Sequence, residues 1–152
     1  MNHHGLSCWW VRAIVAVALG LGLGVPSGAV AQSGQPVVLA MGRWQGADSF
    51  HQVQGKALLV RLPDGRRFIR FEDFKATNGP DLYVYLSGHP SPRTSVQLHE
   101  GAAFELARLK GNIGNQNYEL PSDLDVSNVK SVAIYCKRFS VLFGSAQLIA
   151  PP

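Results

Sequence analysis

Cysteine is nearly absent from this chain: Cys8 and Cys136 are the only two in 152 residues. Cys8 lies in an N-terminal segment with the form of an export signal, so Cys136 is the one thiol expected in the processed protein. That excludes an internal disulfide, and with it every paired-cysteine metal site. An unpaired thiol in an exported chain is unusual, because an oxidising compartment pairs thiols or reacts with them. Either Cys136 is buried and inert, or it is present for its chemistry.

Other absences narrow the function. There is no C-x-x-C-H and no H-x-x-x-H, so neither covalent haem attachment nor a helical histidine pair is encoded. His51, His89, His99 and Met41 lie in separate segments. No cofactor is evident, although a metal at three loop histidines or a haem held between Met41 and His51 stays open, and His51 is the histidine to watch. No G-x-S-x-G surrounds a serine. Glu72 and Asp73 are adjacent and would point to opposite faces of a strand, which does not suit a glycosidase pair. The stretch Gly111–Gln116 lacks the lysine and helix of a phosphate loop. Charge is also sparse: the processed chain carries 13 basic and 10 acidic side chains, too balanced and scattered for a nucleic-acid partner. Arg66, Arg67 and Arg70 are flanked by Asp64, Glu72 and Asp73 and read as a solvated strand face.

At the N-terminus, Arg12 precedes an apolar run from Ala13 to Val25. Pro26-Ser27-Gly28 breaks that run, and Ala29-Val30-Ala31 supplies a small–x–small cleavage pattern. The run is short against the roughly 20 residues a bilayer requires, so cleavage near Ala31 is expected, with no membrane span in the processed chain. The expected location is secreted or periplasmic. Residues 1–31 are then a signal peptide, 32–41 a short lead-in, and 42–150 one domain. About 120 residues can enclose a real core.

From Gly42 onward the patterning is all-β. Lys56–Leu62 and Arg66–Phe71 flank Pro63-Asp64-Gly65 and predict a hairpin. Leu82–Ser87 sets Leu82, Val84 and Leu86 on one face and Tyr83 and Tyr85 on the other. Val96–His99, Ala103–Leu109, Tyr118–Leu120, Lys130–Cys136 and Ser145–Ile149 complete the expected strands, and Ser122–Val126 a short turn. No stretch sustains a helical period for three turns. The fold class is a single-domain antiparallel β-sandwich or closed β-barrel. Asn78–Asp81 and Gly114–Tyr118 read as loops braced by their own amides and turn residues.

Period-2 alternation puts Val132, Ile134 and Cys136 on one face of the seventh expected strand and Ser131, Ala133 and Tyr135 on the other. By pattern alone Cys136 is a small core residue. Against that, Lys137 and Arg138 follow directly, and nearby cations favour a thiolate.

Four stretches, taken together and in this order, resemble the electron-transfer DM-thirteen domain. They are Phe50-His51 with Gly55; RFEDFKATNGPDLYVYLS (Arg70–Ser87); LKGNIGNQNYELP (Leu109–Pro121); and VAIYCKRFSVLFGSAQL (Val132–Leu148). The resemblance spans about Gly42 to Ile149. It implies a small extracytoplasmic β-domain whose characteristic cysteine, matching Cys136, is proposed to be redox-active, in a family that accompanies DOMON and cytochrome b-type modules. The chain is then expected to be an electron-transfer component rather than a stand-alone enzyme, working with a redox partner protein or a small-molecule oxidant. Tyr135 is a weaker candidate for relaying an electron. The competing expectation is a non-catalytic module that binds a ligand or protein through loop ends or the Tyr83/Tyr85 face, with Cys136 structural.

Overall fold

The computed structural model describes residues 34–152. Cys8 and the segment read as an export signal lie outside the described residues. Among the described residues there are eight strands: β1 (Val37–Gly46), β2 (Val53–Arg61), β3 (Arg67–Ala76), β4 (Leu82–Ser87), β5 (Phe104–Arg108), β6 (Gln116–Glu119), β7 (Ser131–Cys136) and β8 (Val141–Gln147). One helix, α1 (Ser95–Glu100), and a 3-10 turn over Val126–Asn128 interrupt them. All strand pairs are antiparallel, in the order β5-β4-β7-β8-β1-β2-β3-β6, and the sheet rolls into a nearly closed barrel.

Strand β1 does the rolling. Its first part, Val37–Arg43, pairs with β2, and its end, Trp44–Gly46, pairs with β8. The crossing needs a residue without a side chain: a Cβ on Gly42 would run into the carbonyl oxygen of Gln147. A register shift between Val38 and Ala40 adds the local twist that a bulge brings. The β2–β3 hairpin forms around Pro63-Asp64-Gly65 as the turn residues require, with Asp64 accepting from the Arg66 amide at 3.0 Å and its Nε at 2.8 Å. Farther along, Gly55 takes φ 102° at a second bulge, facing Asp73 at φ 50°.

The core lies inside the roll. Trp44 meets Phe71 and Phe74 edge-on at 5.0 and 5.6 Å between ring centroids, and Phe71 stacks on Phe74 at 4.8 Å. Ile69, Val84, Leu86, Val132 and Ile134 fill the rest. The amide-rich loops act as braces. Asn112 Nδ2 donates to the Thr77 carbonyl and to Asn78 Oδ1, Asn115 Oδ1 accepts from the Asp73 amide, and Gln116 Nε2 donates to the Gly111 carbonyl.

The strands β5 and β6 are the two edges. At one end Lys110 joins them, its amide donating to the Tyr118 hydroxyl at 2.9 Å and its Nζ to the Asn117 carbonyl at 2.5 Å. Beyond that point an open cleft of about 840 Å³ is lined by Leu106, Arg67, Glu119 and Leu120.

Three local expectations change. Val96–His99 is not a strand but the heart of α1. Thr94 caps it by accepting from the Gln97 amide at 3.2 Å, and Val96 and Leu98 fall on opposite sides of a helical turn, Val96 65 % exposed and Leu98 fully buried. Strand β1 begins at Val37, inside the lead-in expected over 32–41, because the Val-Val-Leu-Ala run pairs with β2. The turn expected at Ser122–Val126 closes early, with the Leu124 amide on the Pro121 carbonyl, and the 3-10 turn follows behind Asp125, which accepts from the Ser127 amide.

Candidate functional site

Strand β7 is interior to the sheet, between β4 and β8, so each of its side chains is held on both sides. Its two faces differ in chemistry. Val132, Ile134 and Cys136 point inward into the main core, as the alternation predicts. Cys136 is a free thiol with 0 % exposure, opposite Leu82 on β4 and Val141 on β8.

The outward face carries a second cluster of Tyr85, Ala133, Tyr135 and Leu142 under the single anchor Leu98 of α1. Three serine hydroxyls fasten the helix-bearing segment over it. Ser87 donates to the Leu98 carbonyl (3.0 Å), Ser131 to that of His89 (2.7 Å) and Ser145 to that of Pro92 (2.8 Å). Side chains that hydrogen-bond carbonyls of an overlying loop satisfy both partners where water is excluded. The aromatic rings then meet edge to face: Tyr85 with Tyr135 at 5.3 Å, His99 with Tyr135 at 5.3 Å, and Tyr85 with His99 at 6.3 Å.

At the border of this cluster Tyr85 donates its hydroxyl proton to Glu105 Oε2 at 2.7 Å, and Lys137 Nζ approaches the same oxygen at 2.8 Å. Lys137 also lies over the Tyr83 ring at 4.6 Å, and the Arg108 guanidinium at 5.9 Å. Burial, and then the carboxylate partner, push the Tyr85 phenol well above the usual tyrosine value. The Lys137 ammonium, and then the Tyr85 hydroxyl, hold the Glu105 carboxyl below its usual value, while Glu105 raises Lys137.

The geometry changes the reading of four residues. Lys137, expected to favour a Cys136 thiolate, sits with Glu105 and Tyr83 on the outer surface, because consecutive strand residues point to opposite faces. Tyr85 is 7 % exposed and Tyr83 half-buried, so the tyrosine face is not the open recognition surface expected of it. Glu105 was not foreseen. Its register opposite Tyr85 depends on a shift between Val84 and Tyr85, which no local pattern announces.

The histidines and Met41 stay apart. His51 Nδ1 pairs with Asp48 at 2.7 Å and its ring rests on Phe143 at 4.5 Å, His89 Nδ1 accepts from the Ser91 amide, and His99 edges the tyrosines. Met41 lies opposite Leu58 and Ile149, in the part of β1 paired with β2, whereas His51 adjoins the other end of β1 at Gly46. Among the described residues, no three histidine, cysteine or acidic side chains are grouped to hold a metal.

A family model for electron transfer DM13 matches residues 46–148, from the end of β1 through β8. The chain belongs to the electron transfer DM13 family. No curated protein and no solved structure matches it. The DM13 match covers all of β2–β8, so both faces of β7 are parts of the family domain. No helix among the described residues of this DM13 domain is long and apolar enough to cross a membrane.

Proposed function

We propose that this DM13 domain is an exported electron-transfer component that works through one thiol, Cys136, together with a separate redox partner. The family match over residues 46–148 carries the redox reading, and the place of Cys136 at the very end of β7 supports its assignment to the thiol. The register pairs of β7 with its neighbours end at this residue, beside the turn through Lys137–Ser140, and one further bond, the Lys137 amide on the Asp81 carbonyl at 3.0 Å, lies beyond it. That turn is held by the Ser140 amide on the Lys137 carbonyl at 3.3 Å and by Ser95 Oγ on the Ser140 carbonyl at 2.8 Å, with Ser140 at φ 54°. Opening it bares the sulfur without unfolding the barrel, as local openings at strand ends do. Arg138 in the same turn is then the nearest sequence neighbour able to favour the thiolate.

The chemistry is a two-electron oxidation in balanced steps. A peroxide oxygen transfers to the thiolate to give sulfenate and water. A partner thiol then condenses with the sulfenic acid, releasing a second water and leaving a mixed disulfide. The test is to trap disulfide adducts after mild peroxide treatment, with Cys136→Ala as the control. The expected result is an adduct that disappears in the variant while its circular dichroism stays native. An adduct profile unchanged in the variant refutes the proposal.

A second reading is favoured by one observation, the complete burial of Cys136. There the domain is a non-catalytic binding module and the cysteine packs the core. Under that reading Cys136→Ala changes stability and no adduct forms in either protein.

A further inference from the structure

We propose that Tyr85 and Glu105 form a proton-coupled one-electron site on the outer face of the sheet, oxidised by a high-potential acceptor such as a ferryl haem or an oxygen-centred radical. The inference rests on the electron-transfer reading of the domain and is independent of the thiol.

The step balances simply. The Tyr85 O–H bond breaks, its electron goes to the acceptor and its proton to Glu105 Oε2. The products are a neutral tyrosyl radical, a protonated Glu105 and the acceptor reduced by one electron. Glu105 is exposed at the strand edge and can pass the proton on to water.

Four observations select Tyr85. The chain has four tyrosines, and among the described residues Tyr85 is the one whose hydroxyl donates to a carboxylate; Tyr118 donates instead to the neutral Gln116 side chain. The 2.7 Å separation lies within the range in which a base accepts a proton directly. Removing an electron alone would leave a cation in an apolar cluster, and removing a proton alone is opposed by the same burial, so the two leave together. Tyr83 is disfavoured because Lys137 and Arg108 lie over its ring and oppose the loss of negative charge there.

The surroundings suit a site that must hold a radical. Leu98 and the serine-fastened α1 segment exclude solvent from the ring, and Lys137 fixes the Glu105 carboxylate on the oxygen that receives the proton. Tyr135, edge-on to Tyr85 at 5.3 Å, directly precedes Cys136 in β7, so the outer site and the inner thiol occupy one strand.

The test is flash oxidation of the purified full chain by photogenerated tris(bipyridine)ruthenium(III), with rapid freezing and electron paramagnetic resonance, in a Cys136→Ala background so that no thiol competes. The expected result is a tyrosyl signal that is lost in Tyr85→Phe and retained in Tyr83→Phe and Tyr135→Phe. Glu105→Gln should slow its formation at least about tenfold, as loss of a positioned base does. The rate should also fall in D2O when Glu105 is present. A signal that persists in Tyr85→Phe, or a rate unchanged in Glu105→Gln, overturns the proposal. Measuring Cys136 adducts in Tyr85→Phe separates the two readings, because failure of the tyrosine site leaves adduct formation intact.

Discussion

The two faces of β7 are one residue apart in sequence and unlike in chemistry. Cys136 faces a dry core of Val132, Ile134 and Phe71, whereas Tyr135 faces a cluster bordered by Glu105, Lys137 and His99. Nothing but the pleat separates them. The inner face supplies stability and holds a thiol that only local opening can release. The outer face is thin, roofed by one short helix, and already touches water at its charged border. Under the proposed function both are of use: a protected sulfur, and a polar edge across which charge enters or leaves.

The largest effect that sharpens this contrast belongs to the inner face. Phe71→Ala should lower stability by about 3–5 kcal/mol, since Phe71 meets Trp44, Phe74 and Tyr118 and is fully buried. Urea denaturation measures it. A loss below about 1 kcal/mol would mean that the core is far looser than the packing of these rings requires.

Next comes the roof of the outer face. Leu98→Ala should cost about 2–4 kcal/mol locally, because Leu98 is the one buried side chain of α1. Amide exchange should accelerate in the segment 88–101 and leave β2 and β3 protected. Equal acceleration in both places would show that the two faces form one cooperative unit and erase the distinction between them.

Cys136→Ser is expected to be milder, at about 1–3 kcal/mol, because it buries a hydroxyl in the same apolar wall that accepts the thiol. Cys136→Ala should cost less than Cys136→Ser. The reverse order would place a polar partner beside the sulfur.

The smallest effect lies at the charged border. Glu105→Gln should change stability at neutral pH by at most about 1 kcal/mol, as the Lys137 pair is half-exposed. Its mark is on the acid limb. The folded Glu105 carboxyl is held below its ordinary value of 4.5, so its contribution is fully present above that value and is lost as pH falls through the lowered one. The Gln variant should therefore lose less in Tm between pH 7 and pH 3 than the native chain. A steeper loss in the variant would reverse the assigned sign.

The inner face was legible in the sequence because alternation is a local signal: V-x-I-x-C names three inward residues without any knowledge of neighbours. The hairpin at Pro63-Asp64-Gly65 was legible for the same reason, since the turn residues state their own geometry. The outer face was not. Tyr85 on β4 meets Glu105 on the edge strand β5, 20 residues away, through a shifted register, and Lys137 joins them from a third strand end. Val96–His99 misled because V-x-L fits a strand as well as a capped turn of helix, and only Thr94 distinguishes the two. The family was legible because its motifs run almost the length of the domain.

The most direct measurement is the alkylation rate of Cys136 in the native protein, read by intact mass alongside the rate of global unfolding under the same conditions. The proposed function predicts labelling distinctly faster than global unfolding, through opening of the turn at Lys137–Ser140, and faster still in Ser95→Ala, which removes the hydroxyl that holds that turn. Labelling that never outpaces global unfolding would contradict it, and would make Cys136 a core residue like Ile134.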